Sequence, residues 1–207
     1  MNFTLFKVDK PKRLKKLDSN KASFFKRHED VELFHFNEIE LNMFHIVYHL
    51  KDEYLVGTKR VGNQMHLPFT QFVNCFFFLD SNYFLIEEVL KEYQSDVINH
   101  IQKKTNVTIE RQILENDKLL EIQTNLNGFI KKVEYKDEDD DDYYLDAVSS
   151  EKLRELADDY TLDRLTMLIE NQFLSVYHNG KISVDNSSEN YLIKFTRDII
   201  NAITHNN

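Results

Sequence analysis

Apolar and polar residues alternate in short runs through the first two thirds of the chain, a pattern that is typical of β-strands. The predicted strands span residues 3–8, 31–36, 43–50, 54–58, 72–79, 107–113 and 129–135. Residues 51–53 form a polar break between two of them, which favours an antiparallel hairpin. The segment 59–68 contains Gly62 and Pro68 and few apolar residues, so we expect a loop there. Residues 12–28 are basic and weakly patterned, and we interpret them as a loop or a short helix.

Elsewhere, apolar residues recur every three or four positions, and this spacing predicts amphipathic helices. The longest such segment runs from Tyr83 to Ile101, although Tyr83 to Ile86 also fits the return strand of a hairpin. Further helices are predicted at 118–123, 150–159, 162–172 and along a stripe of Leu192, Phe195, Ile199 and Ile203. Between the last two helices, alternating strands flank Asn179-Gly180, which predicts a type I′ hairpin over 173–185.

Together these elements predict an α+β protein with a mainly antiparallel sheet and packed helices, followed by a helical and β-hairpin C-terminal subdomain. The suggested division is an α+β domain over 1–136, an acidic linker over 137–147 and a helix–helix–hairpin–helix subdomain over 148–207. The subdomain either stands apart or packs with the first part as one domain. With 42% hydrophobic and 13% aromatic residues, the 207-residue chain has enough apolar surface for a core.

Cysteine usage and the lack of long apolar runs indicate where the protein works. The one cysteine, Cys75, lies in a strongly apolar stretch that predicts a buried thiol. A single thiol forms no internal disulfide and cannot complete a cysteine-rich zinc site. No apolar run approaches the ~18–20 residues that span a bilayer, and the start lacks the features of a signal peptide. We therefore expect a cytoplasmic protein without a membrane partner.

Charge is distributed unevenly along the chain, whose formal net charge is −9. Basic residues outnumber acidic ones in the first thirty positions, and residues 137–142 form an acidic run. The net acidity argues against a protein that coats DNA, because phosphate neutralisation needs clustered Lys and Arg. The acidic run is open to two interpretations, a solvated linker and a phosphate mimic that binds a basic groove. The expected partner-binding residues of the two patches are Lys10, Lys12, Arg13, Lys15, Lys16, Asp139, Asp140, Asp141 and Asp142.

The sharpest catalytic candidate is the tripeptide Glu134-x-Lys136 at the end of a predicted strand. Metal-dependent nucleases of the restriction-enzyme type place such a pair on a strand, with an acidic residue upstream. The strand period directs the carboxylate and the ammonium group to one face, where they hold a divalent ion and a water beside the scissile phosphate. Asp117 or Glu121 is the candidate upstream acid. The spacing supplies no third carboxylate, so a solvated strand edge is the alternative interpretation.

No cofactor or metal site is predicted elsewhere. On a strand, His45 and His49 are about 13 Å apart, too far to share one metal ion. The four glycines form no phosphate-cradling loop. The leading hypothesis is therefore a non-enzymatic interaction component, an accessory subunit, regulator or inhibitor with another protein as its partner. The abundance of Asn, Lys, Ile, Phe and Tyr is typical of AT-rich genomes and favours a phage, plasmid or defence context. The alternatives are the metal-dependent nuclease and a nucleic-acid-binding module that uses the basic N-terminal segment.

Overall fold

A computed structural model describes residues 1–19, 30–57, 62, 64–185 and 188–204. This part of the chain contains eleven strands and five α-helices, which confirms the α+β class. The strands are β1 (Asn2–Val8), β2 (Val31–Glu40), β3 (Met43–Gly57), β4 (Gln64–Phe78), β5 (Tyr83–Glu87), β6 (Ile109–Arg111), β7 (Phe129–Lys136), β8 (Asp142–Asp146), β9 (Thr161–Ile169), β10 (Gln172–Tyr177) and β11 (Lys181–Val184). The helices are α1 (Lys16–Ser19), α2 (Lys91–Thr105), α3 (Asn116–Leu126), α4 (Ser150–Asp159) and α5 (Glu189–Thr204), and a 3-10 helix at Pro11–Lys15 precedes α1.

The chain divides into two compact units that are discontinuous in sequence. Unit 1 consists of Met1–Lys7, Tyr83–Leu85 and the chain from Glu110 onward. Unit 2 consists of Val8–Asn82 and Ile86–Ile109. This division differs from the expected boundaries at 136 and 148, because the N-terminal strand joins the unit that contains the C-terminal helix.

Unit 1 is a sheet with helices on one face. Its strands follow the order β5-β1-β11-β10-β9-β7-β8, and the pairings from β1 to β8 are antiparallel. Helices α3 and α4 pack against β9, and α5 packs against α3. The inner residues of this sheet are fully buried, for example Val133, Leu165 and Val176. Phe3 on β1 contacts Phe195 of α5, with 6.4 Å between the ring centroids.

Unit 2 is built around the antiparallel strands β2-β3-β4, against which α2 packs. Alternate residues of β3, including Ile46, Tyr48 and Leu50, are buried on the helix side of these strands. Tyr48 makes an edge contact with His100 of α2, with 5.5 Å between the ring centroids. Cys75 on β4 is fully buried, as its apolar surroundings predicted, and burial raises the pKa of its thiol well above the usual value.

One predicted helix is wrong: residues 162–172 contain strand β9 and the start of β10. The error has a local cause, a β-bulge in β9. Glu134 pairs with Arg164 and Tyr135 pairs with Leu162, so Asp163 is an extra residue on the bulged strand. The bulge brings Leu162 and Leu165 to the same buried face although they are three positions apart. That spacing mimics the period of a helix.

The hairpin predicted around residues 51–53 is also wrong, because this polar segment continues strand β3. Residues 43–57 pair with residues 64–78 over fifteen consecutive positions. The expected loop at 59–68 is partly replaced by the start of β4 at Gln64, and residues 58–61 and 63 lie outside the described residues. Of the segment 12–28, residues up to Ser19 form the short helices, and residues 20–28 lie outside the described residues.

The alternative for Tyr83 to Ile86 is the correct one: these residues form β5, and the amphipathic helix begins at Lys91. The hairpin at 173–185 is confirmed, but its turn is not type I′. Gly180 has a positive φ of 79°, whereas Asn179 is not among the residues with positive φ. The Gly180 amide donates to the Tyr177 carbonyl at 3.0 Å, which fits a three-residue turn closed by a left-handed glycine.

The acidic run forms a hairpin turn and the start of a strand, where a linker was expected. Residues 137–141 connect β7 to β8, and Asp142 opens β8. The Asp137 carboxylate accepts hydrogen bonds from the amides of Asp139 and Asp141, each at 3.0 Å. The backbone hydrogen bond from Asp141 is the main cause that lowers the pKa of Asp137. The run is therefore held in unit 1 by its own backbone geometry.

Candidate interaction surfaces

The structure gives Glu134 two basic partners on the open face of the unit 1 sheet. Its carboxylate lies 2.7 Å from the Lys132 ammonium group and 3.2 Å from the Arg164 guanidinium group. Arg164 also lies over the ring of Tyr177, at 5.5 Å from its centroid. The carboxylate thus forms ion pairs with two neighbouring cations, one on its own strand and one on β9.

The other three residues of the catalytic hypothesis have different surroundings. Lys136 forms an ion pair with Asp140 at 2.8 Å, and this contact raises the pKa of Lys136. Asp117 lies in the first turn of α3, and Glu121 pairs with Lys118 within that helix. Within the described ranges, no group of three or more His, Cys, Asp or Glu side chains is arranged to hold a metal ion. The nuclease hypothesis therefore stays a prediction made from the tripeptide.

A cationic surface lies where the N-terminal segment of unit 2 meets the end of α2. Leu14 and Leu17 are buried and anchor the 3-10 helix and α1, both of which contact α2. The Arg13 guanidinium group donates to the carbonyl of Asn106, which terminates α2, at 2.9 Å. We call this the basic surface; its members are Lys10, Lys12, Arg13, Lys15, Lys16, Lys103 and Lys104. Sequence reasoning identified the first five and missed Lys103 and Lys104, which belong to it only because of the fold.

The outer part of the β3–β4 hairpin projects beyond its neighbouring strand. The register between β2 and β3 ends at the pair Val31–Leu50, whereas β3 and β4 continue for seven more pairs. We call residues 51–57 and 64–70 the arm. Every residue of its β3 half is exposed. Since each residue adds about 3.4 Å to a strand, the arm is roughly 20 Å long.

One face of the arm is apolar and exposed. Tyr54 pairs with Leu67 and Val56 pairs with Met65, so these four side chains lie on the same face. They are exposed by 59%, 42%, 46% and 61% respectively. The opposite face carries Leu55 beside His66, and His66 contacts Glu53 at 2.7 Å. Sequence reasoning predicted a strand over 54–58 but did not identify its apolar residues as a surface, because their exposure depends on where β2 ends.

The base of the arm is anchored to α2. The Tyr93 hydroxyl donates a hydrogen bond to the Asp52 carboxylate; this bond raises the pKa of Tyr93 to about 12 and lowers the pKa of Asp52. Tyr54 stacks on Phe69 with 4.2 Å between centroids, and Phe69 makes an edge contact with Tyr93. An open groove beside the base is lined by Asp30, Lys51, Asp52, Glu53, Pro68, Phe69 and Thr70. Three carboxylates and one ammonium group make this groove acidic.

On the side of the unit 2 strands opposite α2, histidines are engaged with polar neighbours. His49 contacts the Glu32 carboxylate at 2.8 Å, and Lys51 contacts the same carboxylate at 3.0 Å. The hydrogen bond with His49, followed by that with Lys51, lowers the pKa of Glu32 to about 2. His45 is within 2.9 Å of the Asn74 side-chain oxygen. The two histidines thus have separate partners.

Comparison with known proteins assigns the chain to no family. No protein-family model matches the chain, and no curated protein matches it. None of the helices in the described ranges is long and apolar enough to cross a membrane.

Proposed function

We propose that this protein is a non-enzymatic interaction component that binds a partner protein through the apolar face of the arm. The observation that supports the proposal is the pairing of Tyr54 with Leu67 and of Val56 with Met65 on an exposed face. A contiguous apolar patch on a soluble protein is characteristic of a binding site. The partner decides whether the protein works as an accessory subunit, a regulator or an inhibitor.

The energetics of the arm favour a binding role. A two-stranded ribbon that is exposed on both faces gains little stability from its own side chains. If a partner buried the exposed parts of Tyr54, Val56, Met65 and Leu67, each side chain would contribute about 1 kcal/mol through the hydrophobic effect. The anchor at the base, where Tyr93 binds Asp52, holds the ribbon in position before binding. A pre-positioned element loses less conformational entropy when it binds.

The charges at the base of the arm define the chemistry of the partner. The groove there is acidic, with Asp30, Asp52 and Glu53 against Lys51. A complementary partner therefore presents an apolar cleft bordered by basic side chains. Electrostatic complementarity of this kind guides association and selects among partners.

Site-specific crosslinking tests the proposal. A photoreactive amino acid is placed at Val56, on the apolar face, and in a separate protein at Leu41, which lies in the β2–β3 turn at the opposite end of β3. In cells that encode the chain, we expect a discrete crosslinked protein from position 56 and not from position 41. The protein identified by crosslinking is then produced and purified on its own, and binding is reconstituted from the two pure components. Failure of the pure partner to bind, or equal crosslinking from both positions, contradicts the proposal.

A further inference from the structure

The basic surface is assembled from two segments that are about ninety residues apart in sequence. Besides the contact between Arg13 and Asn106, the Asp9 carboxylate accepts a hydrogen bond from the Thr108 amide at 2.9 Å. The Asp9 amide donates to the Thr108 carbonyl at 3.2 Å. These bonds fix the N-terminal segment beside the last turn of α2, which contains Lys103 and Lys104.

The surface is strongly cationic within a unit that is neutral as a whole. Within residues 8–19 and the last turn of α2, which the structure describes, seven basic side chains outnumber the carboxylates of Asp9 and Asp18, and Asp9 pairs with Lys10 at 2.8 Å. Unit 2 contains 14 basic and 14 acidic residues, which leaves 12 basic and 21 acidic residues to unit 1. The net charge of −9 therefore belongs to unit 1. The acidity of the chain as a whole does not describe the surface around α2.

The composition of the surface distinguishes between two kinds of anionic partner. Residues 8–19 and 91–109, all of which the structure describes, contribute no exposed large apolar side chain. Stable protein interfaces have an apolar centre inside a polar rim, whereas contacts to a sugar-phosphate backbone need only cations. The basic surface therefore fits contacts to a sugar-phosphate backbone better than a stable protein interface. Six of its seven cations are lysines. A lysine ammonium group acts as a point charge and lacks the planar, bidentate hydrogen-bonding geometry with which arginine recognises a base.

We infer that the basic surface binds the phosphate backbone of nucleic acid without sequence specificity. The lysines neutralise successive phosphates, and release of condensed counterions drives the association. This function is additional to the binding of a partner protein by the arm and uses different residues.

Fluorescence anisotropy with the full chain tests the inference. The probes are labelled 20-nucleotide oligomers of single-stranded DNA, duplex DNA and RNA, titrated at several salt concentrations. From about 50 mM to about 200 mM salt, we expect affinity to fall on the order of a hundredfold, as for a site with four or more phosphate contacts. The three probes identify which backbone is preferred. No binding to any probe at the lowest salt overturns the inference.

Two charge-matched variants show whether the proposed residues are responsible. Lys103→Gln with Lys104→Gln should weaken binding at about 50 mM salt by roughly tenfold or more and reduce the salt slope by about 2. The control combines Lys91→Gln, at the other end of α2, with Lys152→Gln on α4, and it should bind like the unsubstituted protein. Equal losses in both variants contradict the inference. Circular dichroism checks that both variants are folded.

Two further comparisons separate this inference from its alternatives. A polyglutamate peptide of matched charge should bind more weakly than the oligomers, and tighter binding would identify an acidic protein as the partner and overturn the inference. Leu67→Lys, which changes the arm, should leave nucleic-acid affinity unchanged, while the Lys103 and Lys104 variant should leave crosslinking from position 56 unchanged. Failure of one function is thereby distinguished from failure of the other.

Discussion

Tyr54 on β3 lies directly opposite Leu67 on β4, and both side chains are exposed on the same face of the arm. Leu50, four residues before Tyr54 on the same strand, is 3% exposed. The same hairpin therefore passes from a buried part to an exposed part. The arm is not needed for the core of unit 2, although it carries apolar residues.

This difference predicts how the two parts respond to substitution. We expect Leu67→Lys to change the free energy of unfolding by less than about 1 kcal/mol, because the side chain is already exposed. Leu50→Ala should cost about 2–4 kcal/mol, because it leaves a cavity in the core. Urea denaturation followed by circular dichroism measures both. If Leu67→Lys lowered the free energy of unfolding as much as Leu50→Ala, the arm would be packed against the rest of the chain.

A second prediction concerns the turn between β10 and β11. Gly180 has a φ of 79°, and a Cβ at this position would lie 2.1 Å from the Gln112 carbonyl oxygen. Gly180→Ala should lower the free energy of unfolding by more than about 2 kcal/mol, since a positive φ and a backbone clash combine. Gly62→Ala is the control: its φ is 68°, but apart from its chain neighbours no atom of the described residues lies within 4 Å of the added Cβ. If the two variants lost the same free energy of unfolding, the clash with the Gln112 carbonyl would not be the cause.

The sequence predicted most of the strands and the helices at 150–159 and in α5, because regular periodicity is visible without tertiary context. It could not predict β9, where the bulge at Asp163 gives buried residues a helical spacing. Nor could it predict the arm, because the polar residues 51–53 read as a turn until the partner strand is known. Lys103 and Lys104 joined the basic surface through the contact between Arg13 and Asn106, a tertiary interaction that no local pattern reveals.

Glu134 provides a third prediction and a test of the nuclease hypothesis. Glu134→Gln removes the counter-charge of Lys132 and Arg164, and we expect a loss of about 1 kcal/mol in the free energy of unfolding. The control Glu155→Gln removes a more exposed pair with Lys152 and should cost a few tenths of a kcal/mol. Cleavage of plasmid DNA in Mg²⁺ by the unsubstituted protein, lost in Glu134→Gln with the fold intact, would establish the nuclease instead.

A fourth prediction follows from the low pKa of Glu32. Contacts with His49 and Lys51 lower this pKa to about 2 in the folded protein, from a reference value of 4.5. The ionised carboxylate therefore stabilises the fold above pH 4.5, and this contribution is lost as the pH falls toward about 2. Glu32→Gln should have a lower urea midpoint at pH 7 and a smaller decrease between pH 4.5 and 2 than the unsubstituted protein. Parallel decreases in the two proteins would contradict the assignment.

The central claim is tested most directly by measuring how tightly three variants bind the purified partner that crosslinking identified. Leu67→Lys lies on the apolar face of the arm, Leu55→Lys on the opposite face, and Leu41→Lys at the other end of β3. Isothermal titration calorimetry should show that Leu67→Lys weakens binding tenfold or more, that Leu55→Lys weakens it less, and that Leu41→Lys has no effect. Binding of Leu67→Lys with unchanged affinity would contradict the claim that the apolar face of the arm holds the partner.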